Sequence, residues 1–348
     1  MKDDPWIDAV VAGRYRIVRK LGEGGMSAVY EARHVKLQRQ FAIKRLLPQL
    51  ADNQEALERF EREAEMLAGL RHPNVVEVTD WDEFPDGAPC MVLEYLHGAT
   101  LDRRMSRGPM PWDAIARIGD QTMSALSLAH RNGITHRDMK PENIFMAIDD
   151  VGDDRVKLLD FGVSKLRGMI KTTGMFAMLG TPSYMAPEQA QGQSDQIGAW
   201  TDVWAMGAIL YEMATGRKAF EAKGIADTLM KINIGQYDPI AAYRNDASPA
   251  FVELVGRAMT EREHRIQTID ELRAGLRETL EPRNLYRLNT PVGIQTLAPP
   301  RANPTPPRTE PTGGVVVAPA RHTRRWIGIV SAIAVTLVVG AIVIAFAM

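Results

Sequence analysis

Between Asn53 and Leu70, apolar residues recur at Leu57, Phe60, Ala64, Leu67 and Leu70. Spacing by threes and fours predicts an amphipathic helix, and Asp52 or Asn53 is placed to cap it. A second such stretch, Trp112 to Asn132, carries Ile115, Ile118, Met123, Leu126 and Ala129 on one stripe. Elsewhere the period is two. Tyr15 to Arg19 alternates, and Phe41 to Arg45 reads as a short strand with Ala42 and Lys44 on one face. Val75 to Trp81, Cys90 to Glu94 and Val156 to Leu159 also read as strands. Strands thus dominate before about residue 95 and helices after it, an α+β arrangement.

Near the carboxyl end the pattern changes twice. From Asn289 to Ala320 the chain turns to Pro, Thr, Ala and Gly, too poor in large apolar residues for a core, which predicts a disordered linker. Trp326 to Met348 then carries no charge. At 1.5 Å per residue a helix over this run reaches roughly 34 Å, enough to cross a bilayer core of about 30 Å. Arg321, Arg324 and Arg325 abut the run, and basic flanks favour the cytoplasmic side. The expectation is a single-pass protein of the cytoplasmic membrane with the bulk of the chain in the cytoplasm. No signal peptide is read at the amino end, and no sensor domain is expected beyond the span.

The polar residues that resist explanation as a solvated loop lie in Thr135-His136-Arg137-Asp138-Met139-Lys140-Pro141-Glu142-Asn143, followed by Asp160-Phe161-Gly162. Their neighbours Ile134, Ile144, Phe145, Leu158 and Leu159 are apolar, so this is a buried polar site. Phosphoryl transfer requires a metal to offset phosphate charge, a carboxylate near the acceptor hydroxyl and a cation on the transferred group. Asn143 and Asp160 offer the hard oxygen ligands that magnesium prefers, Asp138 the carboxylate and Lys140 the cation.

These segments resemble the catalytic loop and metal-binding turn of protein kinases, and further motifs follow the same order over about residues 15 to 280. The flavour is that of bacterial eukaryotic-like Ser/Thr kinases. The resemblance implies a bilobal fold: an N-terminal extension over 1–14, a kinase domain over 15–285 divided into lobes 15–95 and 96–285, a juxtamembrane linker over 289–325 and the span over 326–348. It implies ATP with magnesium, or manganese in its place. Leu21-Gly22-Glu23-Gly24-Gly25-Met26-Ser27-Ala28-Val29 then resembles the glycine-rich phosphate loop, with Ser27 where a third glycine is usual. Lys44 would hold the α and β phosphates and pair with Glu63. Ala42, Phe145 and the backbone of Glu94 and Leu96 would surround adenine, with Leu93 as gatekeeper.

The same resemblance makes Asp160 to Ala186-Pro187-Glu188 an activation segment. Thr172 and Thr173 are its candidate phosphorylation sites, and Arg137 would receive the added phosphate. Thr181 and Lys140 fit Ser/Thr rather than tyrosine kinases. Asp202 is assigned to bracing the His136–Asp138 turn, and Arg265 to pairing with Glu188. Protein substrates are implied, with a homodimer for autophosphorylation.

Composition adds exclusions. The 348 residues are 45% hydrophobic and 24% charged, as in globular proteins, and a net charge of -1 offers no electrostatic case for nucleic acid. The single cysteine, Cys90, excludes an intrachain disulfide and reads as a buried, inert thiol.

Overall fold

The computed structural model describes residues 4–148, 152, 154–161 and 182–280. The expected linker, the membrane span, Gly162, Thr172, Thr173 and Thr181 lie outside them. Among the described residues no helix is long and apolar enough to cross a membrane.

The amino-terminal lobe is a six-stranded antiparallel sheet. It is built from β1 (Val10–Val11), β2 (Tyr15–Glu23), β3 (Ser27–His34), β4 (Gln40–Leu46), β5 (Val78–Glu83) and β6 (Pro89–Glu94), in the order β1-β2-β3-β4-β6-β5. Strand periodicity divides its side chains between two cores. Ala28, Tyr30, Ile43, Cys90 and Val92 pack in one cluster with Phe84, while Leu46, Met91 and Leu93 join a larger cluster with α1 (Gln54–Gly69). Asn53 caps α1 as expected, its side chain accepting from the Ala56 amide at 3.0 Å.

Residues 4–14 are more than a tail. β1 pairs with Tyr15 and Arg16, the Asp8 amide donates to the Ile17 carbonyl at 3.0 Å, and Trp6 lies 4.5 Å from the guanidinium of buried Arg45. Phe84 approaches the same guanidinium at 4.3 Å, so Arg45 is held between two aromatic rings. Its charge is met by Asp86 at 2.7 Å. Cys90 is buried, and burial pushes its thiol up to about 12, as an inert residue requires.

One predicted strand is shorter than its apolar pattern. β5 begins at Val78, because Asn74, Val75 and Val76 bond instead to the strand that leads into Asp160. β5 lies at the sheet edge, where the Asp80 and Asp82 carboxylates accept from the amides of Trp81 and Glu83 and blunt it against further strand pairing.

The second lobe begins with a small sheet of β7 (Gly98–Thr100), β8 (Ile144–Ile148) and β9 (Asp154–Leu158) and is otherwise helical. Its helices are α2 (Leu101–Met105), α3 (Trp112–Arg131), α4 (Pro187–Ala190), α5 (Ala199–Thr215), α6 (Ile225–Asn233), α7 (Pro249–Ala258) and α8 (Ile269–Thr279). α5 is buried along almost its whole length, the reason its sequence is apolar on every face. α8 is fastened to α3 by Arg273 and Arg277, both on the Asp120 carboxylate.

Candidate active site

β4 presents Lys44 on the face opposite buried Arg45 and Ile43. There its ammonium meets Glu63 Oε1 of α1 at 2.6 Å and Asp160 Oδ1, just beyond β9, at 2.7 Å. Three residues far apart in sequence therefore form one charge cluster. Burial alone would lower the Lys44 pKa, but Asp160 and then Glu63 outweigh it, and the net shift is upward. Burial pushes the Glu63 carboxyl up to about 7 against the pull of Lys44. For Asp160 the balance reverses: burial would raise its carboxyl, but the charge and hydrogen bond of Lys44 together with a hydrogen bond to Glu63 outweigh it, and the net shift is downward.

Register sorts the residues of the glycine-rich segment. Val29 pairs with Lys44 and shares its face, whereas Ala28 pairs with Arg45 and turns into the opposite core. The two-residue period of β3 thus turns the Ala28 side chain away from Lys44. Leu21 is exposed on β2, which runs through Gly22 to Glu23. Gly24, Gly25 and Met26 make the turn, closed by the Gly24 amide on the Ser27 carbonyl at 2.8 Å. Ser27 is the first residue of β3, opposite Leu46, and has no left-handed backbone. A serine therefore fits where the motif usually carries glycine.

The catalytic loop is held from beneath. Asp202, buried on α5, accepts from the amide of His136 at 2.8 Å, the amide of Arg137 at 2.9 Å and His130 Nε2 at 2.7 Å. Arg137 itself sits at φ +66°, a conformation that a side chain makes costly, so the brace has strain to oppose. Arg137 is exposed, and its carbonyl accepts from Gln189 Nε2 at 2.7 Å. His136 is fully buried and tilted against Phe161, ring centroids 4.7 Å apart. Burial lowers its pKa, and the Asp138 amide donates to Nδ1 at 3.3 Å, which fixes the neutral tautomer with hydrogen on Nε2.

Above the brace, Asn143 Nδ2 donates to the Asp138 carbonyl at 2.7 Å and to its Oδ2 at 3.3 Å, and Lys140 Nζ lies 3.4 Å from that same Oδ2. The donor set suits one divalent cation. Because the Asn143 nitrogen is committed to Asp138, its amide oxygen is the ligand left over, and Lys44 meets Asp160 through Oδ1. Among the described residues no cluster of three or more His, Cys, Asp or Glu forms a self-sufficient metal cage. One carboxylate and one amide suit a cation that completes its shell with phosphate oxygens and water.

Around this centre, Leu93 is buried, and Ala42, Leu96 and Phe145 are half-buried. Glu94 ends β6, and its amide is taken by the Glu77 carbonyl at 3.0 Å. The expected Arg265–Glu188 pair is present and fully buried, at 2.9 and 3.3 Å. Sequence reasoning missed the Glu94 side chain, which bonds Lys157 at 2.5 Å; the only signal was a lysine inside the otherwise apolar strand Val156 to Leu159.

A family model described as the protein kinase domain matches residues 15–274. Serine/threonine-protein kinase pkn3 of Myxococcus xanthus is 37% identical over 265 residues, 74% of this chain and 48% of that protein. PrkC of Bacillus subtilis is 34% identical over 274 residues, 78% of this chain and 41% of that protein. The chain thus spans less than half the length of these relatives. The kinase domain of Mycobacterium tuberculosis PknI superposes with a TM-score of 0.60 at 27% identity, covering 78% of this chain and 98% of that one. With a family match over most of its length and the charge clusters assembled on a bilobal scaffold, this chain belongs to the protein kinase domain family and is similar to Ser/Thr kinases of bacteria.

Proposed function

We propose that the protein is a Ser/Thr protein kinase that moves the γ-phosphoryl group of ATP to hydroxyls of protein substrates, itself included. The observation that carries this reading is the joining of Lys44, Glu63 and Asp160 into one cluster. A strand, a helix and a loop that each deliver a charged group to one water-poor cluster with shifted pKa values make it a candidate site for a charged ligand.

Lys44, oriented by Glu63, holds the α and β phosphates. Asp138 accepts a hydrogen bond from the acceptor hydroxyl and takes its proton as that oxygen attacks the γ-phosphorus and the bond to the β,γ-bridging oxygen breaks. Lys140, beside Asp138, offsets charge on the transferring group. Magnesium, held by Asn143 and Asp160, supplies neutralisation of the phosphate charge when bound. Val29, Ala42, Leu93 and Phe145 line the adenine side, and the backbone of Leu96 supplies its polar contacts. In this reading Thr172 and Thr173 are phosphorylated and pair with Arg137, and residues 326–348 anchor the enzyme in the cytoplasmic membrane.

The test is intact-mass spectrometry of the full chain in detergent after incubation with ATP and magnesium, beside Asp138→Asn. Wild type gains phosphates and the variant does not. No gain by wild type on itself or on an added protein acceptor overturns the reading, and phosphates mapping away from Thr172 and Thr173 overturn that assignment.

A further inference from the structure

Glu94 and Lys157 stand on opposite sides of the connection between the lobes. Glu94 closes β6, two residues before Leu96. Lys157 lies in β9, three residues before Asp160, and pairs across the small sheet with Phe145, so the two side chains share a face. The charged atoms of Glu94 and Lys157 meet at 2.5 Å, with only 20% and 14% of the respective side chains exposed. Screening by water is correspondingly weak.

Both partners also grip the segment that leaves α1. Glu94 Oε1 accepts from the Glu77 amide at 2.9 Å, and Lys157 Nζ donates to the Val75 carbonyl at 3.3 Å. Beside them the Val76 amide donates to the Leu158 carbonyl, and the Leu158 amide to the Asn74 carbonyl, both at 2.9 Å. The ion pair is therefore the meeting point of three elements. One borders adenine, one delivers Asp160 to the metal position, and one follows the helix that carries Glu63.

We infer that the Glu94–Lys157 pair is a positioning latch that holds these elements at the mutual angle at which the nucleotide is bound. This inference rests on the kinase reading above. Neither side chain reaches the reacting atoms. The pair coexists with an assembled Lys44–Glu63–Asp160 cluster, so its loss lets the lobes rotate away from an arrangement already suited to the phosphates. Binding suffers, whereas chemistry on the bound complex does not.

The experiment is a double-mutant cycle on the full chain with Glu94→Gln, Lys157→Met and the combined variant. Gln keeps an acceptor for the Glu77 amide and Met keeps the apolar stem, so the ion pair is the main loss. For each protein the KM for ATP, kcat at saturating ATP, the Kd for ADP with magnesium, and the thermal midpoint are measured. Each single change is expected to raise KM and Kd by about fivefold to tenfold, with the combined variant no worse than the worse single and kcat within about twofold of wild type.

A purely structural role would lower the thermal midpoint and leave KM and Kd of the folded molecules unchanged. That outcome overturns the latch, as do single effects that multiply in the combined variant, or a change confined to kcat. If wild type transfers no phosphate, the kinase reading fails, and the ADP titrations still decide the latch by themselves.

Discussion

The amide of Arg137, a residue held at φ +66°, donates to the buried carboxylate of Asp202 at 2.9 Å. The neighbouring His136 amide donates to the other carboxylate oxygen at 2.8 Å. One side chain thus satisfies two successive amides in a turn that would otherwise relax. Asp202→Ala orphans both amides and His130, which costs about 2 to 4 kcal/mol of stability and lowers phosphotransfer by at least about tenfold. Denaturant unfolding beside a rate assay on the folded fraction checks this. If Asp202→Ala is as active per folded molecule as wild type, the brace serves folding alone.

The Lys44–Glu63 contact carries a pH dependence of definite sign. Glu63 titrates at about 7 in the folded protein, above its ordinary 4.5, because burial outweighs Lys44. As pH falls through about 7 the carboxylate is lost as the anionic partner of Lys44, and affinity for ADP with magnesium declines. Stability moves the other way. A group with a raised folded pKa contributes fully below its unfolded value and loses that contribution as pH rises through the folded one. Lys44, also raised, stays protonated across this window, and the contribution of Asp160, with its lowered pKa, is lost only at lower pH. Calorimetric titrations between about pH 6 and 8 should show the limb in wild type and a flat profile in Glu63→Gln. A flat wild-type profile would refute the assignment.

Gly98, just past the connection between the lobes, has φ +146°, and a Cβ built there lies 2.0 Å from the Met146 carbonyl oxygen. β7 and β8 touch at this point, so the backbone has no room to yield. Gly98→Ala is expected to cost about 1 to 3 kcal/mol and to lower the thermal midpoint. An unchanged midpoint would mean that the two strands separate more easily than their pairing indicates.

Trp6 packs edge-on against Phe84 with Arg45 close by, and Tyr30 donates to Asp4 at 3.1 Å. Trp6→Ala removes a half-buried ring and one cation–π contact, a loss of about 1 to 3 kcal/mol. The denaturation midpoint is expected to fall while the phosphotransfer rate of folded molecules stays within about twofold, since Arg45 and Lys44 face opposite cores. A large rate loss at unchanged stability would instead tie the amino-terminal segment to catalysis.

Much of the site was legible in residue order because its chemistry is local. Asp138, Lys140 and Asn143 lie within one turn of chain, and their contacts of 2.7 to 3.4 Å follow from that closeness once the loop is braced. The helix over 54–69 and its Asn53 cap were legible for the same reason: a period of 3.6 and a capping side chain are properties of neighbours. Glu63 could be chosen by its place beside the inward stripe, and the structure puts it 2.6 Å from Lys44.

What the order of residues determined by itself, then, is which segments become strands or helices and which polar groups share a loop. The tertiary structure alone decided that Glu94 meets Lys157 across the lobes, that Val75 and Val76 leave β5 for β9, that Val10 and Val11 extend the sheet edge beside β2 while Trp6 packs on Arg45, and that Ser27 needs no glycine backbone. Each of these depends on pairing between distant segments. A side chain's partner is set there by which surfaces the fold presses together, and no local period of hydrophobic and polar residues records it.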